Sequence, residues 1–274
     1  AFTTILFNIS IAGINSIMRK IFICEYVTGG GYINKKISKK LFIQANIILK
    51  SLLNDFNKIS NLKIIYTWDY RYKRTINLKN TQCVFIKKNP WKIWSSLIKK
   101  SDFFFPIAPE SDGKLLKFVK FGNSQKNNLI GSDIVAIKTA SSKYKTYKMF
   151  QKYSIPTIPT FKNIKKINCK NYNKWVIKPD DGAGCEKNHI FSNKNKMLNF
   201  INLNKNYVIQ PLIKGESYSA NIISDKSKFK ILNFNKQKIF FNKKKITFNG
   251  TKFLKKIAYE KKITRVDLEG VNSP

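Results

Sequence analysis

Hydrophobic and polar positions fall into blocks along this chain, and each block has the period of a strand or a helix. Residues 20–27, KIFICEYV, form a continuous apolar run that predicts a buried strand. It stops at Thr28-Gly29-Gly30-Gly31, a loop in which the backbone must turn sharply or come close to something. Apolar residues then recur every four positions, at Ile33, Ile37, Leu41, Ala45, Leu49 and Leu53, which marks one face of a helix. Strands are predicted over 62–68, 82–86 and 102–108, with a helix over 91–99. This alternation predicts an open, mainly parallel α/β layer from residue 18 to about residue 126. Ligands of such sheets bind beyond the carboxyl ends of the strands. Three polar loops stand there: Glu25 with Gly29–Gly31, Asp69 with Arg71, and Glu110 with Asp112. Their residue types suit ordinary caps and turns as well as substrate contacts.

The second half changes character. Residues 129–137 read as a short strand, a Gly-Ser turn and a helix start, and residues 142–153 as a Lys/Tyr-rich helix. Pro156 and Pro159 force an extended link over 155–160. Residues 174–186, KWVIKPDDGAGCE, then carry a strand (Trp175, Val176, Ile177) into Lys178, Pro179, two acids and Gly182-Ala183-Gly184. Two readings fit this stretch. It is a plain hairpin turn, or a phosphate loop in which the lysine brings charge and the small residues let backbone N–H groups approach closely. It is neither a Gly-Lys-Ser/Thr loop opening a helix nor a three-glycine dinucleotide fingerprint. Further on, a helix over 194–203, a strand over 207–210 and an antiparallel pair over 217–224 and 228–234 are predicted. A helix over 251–260 and a last strand over 263–268 complete the pattern, which contains no internal repeat.

Composition narrows the function classes. The chain has 274 residues, 43% hydrophobic and 14% aromatic, enough to bury a sizeable core. Its formal charge of +37 would by itself suggest a polyanion partner. Yet Arg19, Arg71, Arg74 and Arg265 are the only arginines among 52 basic residues, and lysine is spread over every segment with abundant Asn and Ile. That pattern reads as an AT-rich coding bias over an ordinary fold, without a dedicated nucleic-acid site. Cys24, Cys83, Cys169 and Cys185 lie far apart and His189 is the single histidine, so zinc and disulfide frameworks are not expected and a cytoplasmic location fits. No stretch has the 18 or more apolar residues of a spanning helix. Residues 1–17 lack a basic start, and Met18 opens a convincing strand. They are expected to be an upstream extension without a structural role, with a weak membrane-associated segment as the alternative.

Several motifs recur in one order: Gly131-Ser132, Ser142-Lys143, Ile155-Pro156 with Pro159-Thr160, Ile177-Lys178-Pro179 with Gly182-Ala183-Gly184, Gln210 to Glu216, and Val266-Asp267. Together they resemble the ATP-grasp superfamily of carboxylate–amine ligases, over residues 20 to 268. CEYVTGGG and APESDGKL look closer still to tyramine–glutamate ligase-like enzymes of methanofuran-type cofactor synthesis. The resemblance implies an α/β (α+β) ATP-grasp fold: an N-terminal open α/β domain (18–126), then a central (127–210) and a C-terminal (211–274) α+β subdomain that sandwich ATP. Lys143 and Lys178 match the lysines that hold the phosphates, and residues 181–186, with Gly182, Ala183 and Gly184, match the mobile flap. Gln210 and the backbone of Leu212 and Ile213 match the hinge that reads adenine, and Glu216 the acid that accepts the ribose hydroxyls. Lys236 stands where relatives often place Arg near the γ-phosphate, as a weaker clamp. The implied reaction activates a small carboxylate as an acyl phosphate and passes it to an amine, with substrates resembling tyrosine or tyramine and glutamate. Such phosphoryl transfer is mainly positioning and charge neutralisation by Lys and Mg²⁺.

The departure is at the end. Asp267 fits the first metal ligand of the family. Glu269 and Asn272 have the identities of the other two but lie too close to Asp267, and the intervening hairpin strand is missing. Mg²⁺ needs several oxygen ligands, so a truncated or degenerate metal site is expected. The expected partners are small molecules, with no specific nucleic acid and no membrane; oligomeric state is not legible. The alternatives are an ATP-grasp protein that binds ATP without turnover and a charge-driven polyanion binder.

Overall fold

A computed structural model describes residues 17–126, 128–163, 167, 172–182, 185, 187–204, 206–213, 215–225, 228–241 and 246–254, and the apolar runs of its first half lie side by side in one sheet. The strands are β1 (Arg19–Glu25), β2 (Leu62–Asp69), β3 (Thr81–Ile86) and β4 (Phe103–Ile107), all parallel, in the order β3-β2-β1-β4. Helix α1 (Lys39–Phe56) follows β1, α2 (Pro90–Lys100) follows β3 and α3 (Lys114–Gln125) follows β4. The expected open α/β layer is present. Ile21, Phe22, Ile23 and Cys24 are all fully buried because β1 is central and covered on both sides. Ile21 and Ile23 pack with Leu49, Leu52, Leu53 and Phe56 of α1. Phe22 and Cys24 pack with Trp94 and Ile98 of α2 and Phe118 of α3. Each such buried side chain is worth about 1.5–3 kcal/mol.

The loops at the carboxyl ends of β1 and β2 are locked by their own acids. Glu25, 3% exposed, accepts from the N–H and the hydroxyl of Thr28, at 2.7 and 2.8 Å. A side chain at Gly29 would put its Cβ 2.6 Å from the Glu25 carbonyl and 2.7 Å from the Thr67 hydroxyl, so the chain can pass there only without one. Asp69 is fully buried and holds the Arg71 guanidinium, with Nη2 at 2.6 Å. Arg71 in turn donates to the carbonyls of Tyr32 and Lys35. These acids are structural caps.

Two local expectations are corrected and one helix is added. The helix predicted from Ile33 begins at Lys39, because Ser38 caps it by accepting from Leu41 N–H at 3.2 Å and Arg71 holds the carbonyls of Tyr32 and Lys35 in turns. α3 is absent from the sequence reading; it buries Phe118, Val119 and Gly122. Residues 251–254, expected to open a helix, belong instead to strand β10 (Ile246–Leu254). Thr251–Leu254 pair with Phe234–Gln237 of the neighbouring strand, and that ladder overrides local preference.

The chain divides into two compact units, residues 1–137 and 138–274, and the division falls inside helix α4 (Ile134–Ala140). In the second unit, α5 (Lys143–Lys152) precedes an antiparallel sheet of β5 (Trp175–Pro179), β6 (His189–Phe191) and β7 (Tyr207–Pro211), in the order β6-β5-β7. Helix α6 (Lys194–Leu203) covers one face: its fully buried Met197 packs with Trp175, Ile177 and Ile209. Strands β8 (Tyr218–Asp225), β9 (Lys228–Phe241) and β10 form an antiparallel meander with a bulge between Phe248 and Thr251. Among the described residues no helix is long and apolar enough to cross a membrane.

Candidate functional site

Period-two alternation sorts the side chains of β5 and β7. Trp175, Ile177 and Ile209 turn toward α6. Val176 faces Gln210 and Lys178 faces Val208 in the antiparallel register, so these four share the other face. Lys178 and Gln210, 32 positions apart in sequence, therefore belong to one surface. His189 pairs with Ile177 and lies on the α6 side, 4.5 Å from the ring of Phe200, which is a packing role.

Gln210 has a defined orientation. The Thr160 hydroxyl donates to the Ile158 carbonyl at 3.0 Å, so it can only accept from Gln210, whose Nε2 lies 2.8 Å away. The amide nitrogen is thereby turned to Thr160 and the amide oxygen is left to accept a donor from outside. Leu212, two residues after Gln210, donates its backbone N–H to Lys174 O at 2.9 Å.

Lys178 is half-buried, and among the described residues its ammonium has no hydrogen-bond acceptor. Burial pushes it below the ordinary lysine range, and the nearby Lys143 ammonium pushes the same way. A partly desolvated cation in this state favours the arrival of an anion. Lys143 is placed differently. Its Nζ donates to the carbonyls of Pro179 and Gly182, at 2.7 and 3.0 Å, and so sits on the root of the glycine loop. Gly182 has φ 107° and open space where a Cβ would point. Ala183 and Gly184 lie outside the described residues.

Sequence reasoning assigned no role to Asp180, which is only 6% exposed. Its Oδ2 accepts from Ser142 Oγ and Lys162 Nζ, each at 2.9 Å, and its Oδ1 from Tyr144 N–H at 2.9 Å. Burial alone would raise the Asp180 carboxyl, but these donors outweigh it and hold it below the usual carboxylate range. Ser142 also caps α5, accepting from Lys145 N–H at 3.1 Å. The available signal was the Ser142-Lys143 pair at a helix start, together with an acid directly after Lys178-Pro179.

The register of β8 against β9 brings together two more expected residues. Tyr218 pairs with Lys236, and Glu216 just before β8 takes the Lys236 ammonium on one oxygen and the Tyr218 hydroxyl on the other. The Lys236 bond first, then the Tyr218 bond, holds the Glu216 carboxyl below its ordinary range. Glu216 and Tyr218 are exposed and Lys236 is half-buried. Tyr218 was not anticipated as their partner.

Asp267, Glu269 and Asn272 lie outside the described residues. Among the described residues no group of three or more His, Cys, Asp or Glu could hold a metal ion. In the first unit, the loops after β1 and β3 and the first turn of α2 enclose an open pocket of about 470 Å³. Tyr32 and Trp91 supply its aromatic walls and Lys35 and Lys92 its cations, with no acid in the lining.

Residues 62–137 match a pre ATP-grasp 3 domain and residues 140–269 an ATP-grasp domain. The chain is 29% identical over 228 residues to a tyramine–L-glutamate ligase of Methanocaldococcus fervens, covering 78% of this chain and 65% of the relative. It is 27% identical over 230 residues to the tyramine–L-glutamate ligase of Methanocaldococcus jannaschii, covering 81% and 64%. It thus spans just under two thirds of the length of these curated relatives. Among solved structures, an ATP-grasp superfamily protein from Archaeoglobus fulgidus superposes with a TM-score of 0.66 at 19% identity, over 92% of this chain and 71% of that one.

Proposed function

This chain belongs to the ATP-grasp family, and from that premise we propose that it is an ATP-dependent ligase that joins a small carboxylate to an amine. The observation that carries the reading is the shared face of Lys178 and Gln210, on adjacent strands: an ammonium with no hydrogen-bond acceptor among the described residues, and an amide whose nitrogen is taken by Thr160. In this reading Lys178 and Lys143 hold the phosphates of ATP, and Gly182, Ala183 and Gly184 close over them. The Gln210 oxygen accepts the adenine amine, and main-chain groups of Leu212 and Ile213 complete the base contact. Glu216 accepts the ribose hydroxyls through lone pairs that Lys236 and Tyr218 leave unused. Lys236 can exchange Glu216 for the γ-phosphate.

The substrate carboxylate attacks the γ-phosphorus, the bond to ADP breaks, and an acyl phosphate forms. The amine nitrogen then attacks the acyl carbon, phosphate leaves, and the amine gives up its proton. The residues supply position and positive charge, the two things this transfer needs most. Mg²⁺, when bound, would neutralise phosphate charge; Asp267 would be its first protein ligand, while Glu269 and Asn272 have ligand identities but lie too close to Asp267 to complete the usual set. The names of the two curated relatives support L-glutamate as the acid and tyramine as the amine.

The test is ADP release by the full chain with ATP, glutamate and tyramine, beside Lys178→Met. Wild type should release ADP at a rate that depends on the acid. The variant should lose at least about a hundredfold, the scale of one removed electrostatic contact to a transferring phosphoryl group. ATP binding without any ADP release, with every acid and amine offered, would leave a nucleotide-binding protein in place of a ligase. Nucleic-acid binding that falls steeply with salt and ignores Lys178→Met would leave a polyanion binder.

A further inference from the structure

We propose that Asp180 is a positioning residue for the nucleotide: it sets the first turn of α5, and through it Lys143, against the end of β5. The proposal rests on the ATP-binding reading above. Three segments converge on this one residue. Its carboxylate gathers Ser142 and Tyr144 from the start of α5 and Lys162 from the link that follows Pro159. Its own carbonyl accepts from Lys143 N–H at 3.0 Å, and its own N–H donates to Asn206 O at 2.9 Å, just before β7. Every polar atom of Asp180 is therefore engaged, and the bonds to Ser142, Lys143 and Tyr144 tie the start of α5 to the end of β5, which carries Lys178.

The geometry has a direct consequence for Lys143. Two bonds to Asp180, one from Lys143 N–H to the Asp180 carbonyl and one from Tyr144 N–H to Oδ1, fix the backbone on which Lys143 stands. From there its ammonium reaches the carbonyls of Pro179 and Gly182 at the root of the glycine loop. With an amide in place of the carboxylate, the Lys162 ion pair is lost and one oxygen becomes a donor facing other donors. Lys143 then moves relative to Lys178, and the pair no longer matches a polyphosphate. Asp180 touches no substrate in this scheme; it acts through Lys143.

The test is steady-state kinetics and ATP titration on the full chain, comparing wild type with Asp180→Asn and Lys162→Met. Asp180→Asn should raise the KM for ATP about tenfold, the scale of one lost charge-assisted hydrogen bond. The KM values for acid and amine should stay unchanged, and kcat within about threefold. Lys162 is half exposed, so Lys162→Met should fold normally and raise the KM for ATP by about threefold, removing one donor of three. A purely structural Asp180 would lower Tm and leave the KM for ATP unchanged in both variants, and that result overturns the proposal. Wild-type chain that fails to bind ATP at all sinks the nucleotide reading and this proposal together. Wild type and both variants binding ATP equally sinks the Asp180 role alone.

Discussion

Replacing Thr160 by Val should weaken ATP binding without touching the nucleotide. Valine is nearly isosteric with threonine, so packing is kept and only the hydroxyl is lost. That hydroxyl is buried, in a residue 2% exposed, and it makes two bonds, at 3.0 Å to Ile158 O and 2.8 Å from Gln210 Nε2. Losing both costs about 1 kcal/mol each, and about 2–4 °C of Tm per kcal/mol for a chain of this size. The larger interest is the amide. Without Thr160 no hydrogen bond among the described residues distinguishes the two ends of Gln210, and the NH₂ group can turn toward the base. Facing an adenine amine, it exchanges a hydrogen bond for a donor–donor contact, about 1 kcal/mol or more, so Kd for ATP should rise about five- to tenfold. Facing the carbonyl of guanine, the same NH₂ is a good donor, so GTP should lose less or gain. Titrations of ATP and GTP against wild type and Thr160→Val, with Tm for each, make the assay. A variant that loses the expected Tm but keeps both Kd values and their ratio would refute the role of Gln210 in reading the base.

Other consequences are as direct. Lys178→Met should raise the Tm of the nucleotide-free chain while abolishing ATP binding, because it removes a partly buried cation that has no described acceptor; thermal melts with and without ATP show both effects. The Asp180 carboxyl is held below its ordinary value of 3.8, so its contribution to stability is complete above that pH and is lost as pH falls through the lower folded value. The Tm gap between wild type and Asp180→Asn should therefore be constant from neutrality to about pH 5 and shrink below 3.8 in acid melts. Gly122→Ala should destabilise by about 1–3 kcal/mol, although alanine is the better helix former. Its Cβ would lie 2.6 Å from the Phe104 ring, itself fully buried and stacked on Phe22. A Tm equal to or above wild type would show that the ring can move aside.

The sequence by itself determined the elements whose patterns are local. β1 is legible because four successive buried apolar residues need no partner to be recognised. The face of α1 is legible from its period of four, and α6 from its apolar spacing behind the Asn193 cap, which accepts from Lys196 N–H at 3.0 Å. The order of Lys143, Lys178, Gln210 and Glu216 was enough to suggest a nucleotide site. Tertiary structure decided what depends on residues far apart in the chain. α1 starts late because Arg71 holds the carbonyls of Tyr32 and Lys35, 39 and 36 positions away. Residues 251–254 are strand because β9 is beside them, and a short Thr-Lys-Phe-Leu run carries too weak a preference of its own to resist that ladder. The acids after β1 and β2 are caps because their donors fold back onto them. Within the candidate site, residue identity was local information and its state was not. Thr160 orients Gln210 across 50 positions, Asp180 collects donors across 36 and 38, and Glu216 meets Lys236 across 20 through the β8–β9 register. A hydrogen bond or ion pair needs both partners within about 3 Å, and only the folded backbone sets that distance.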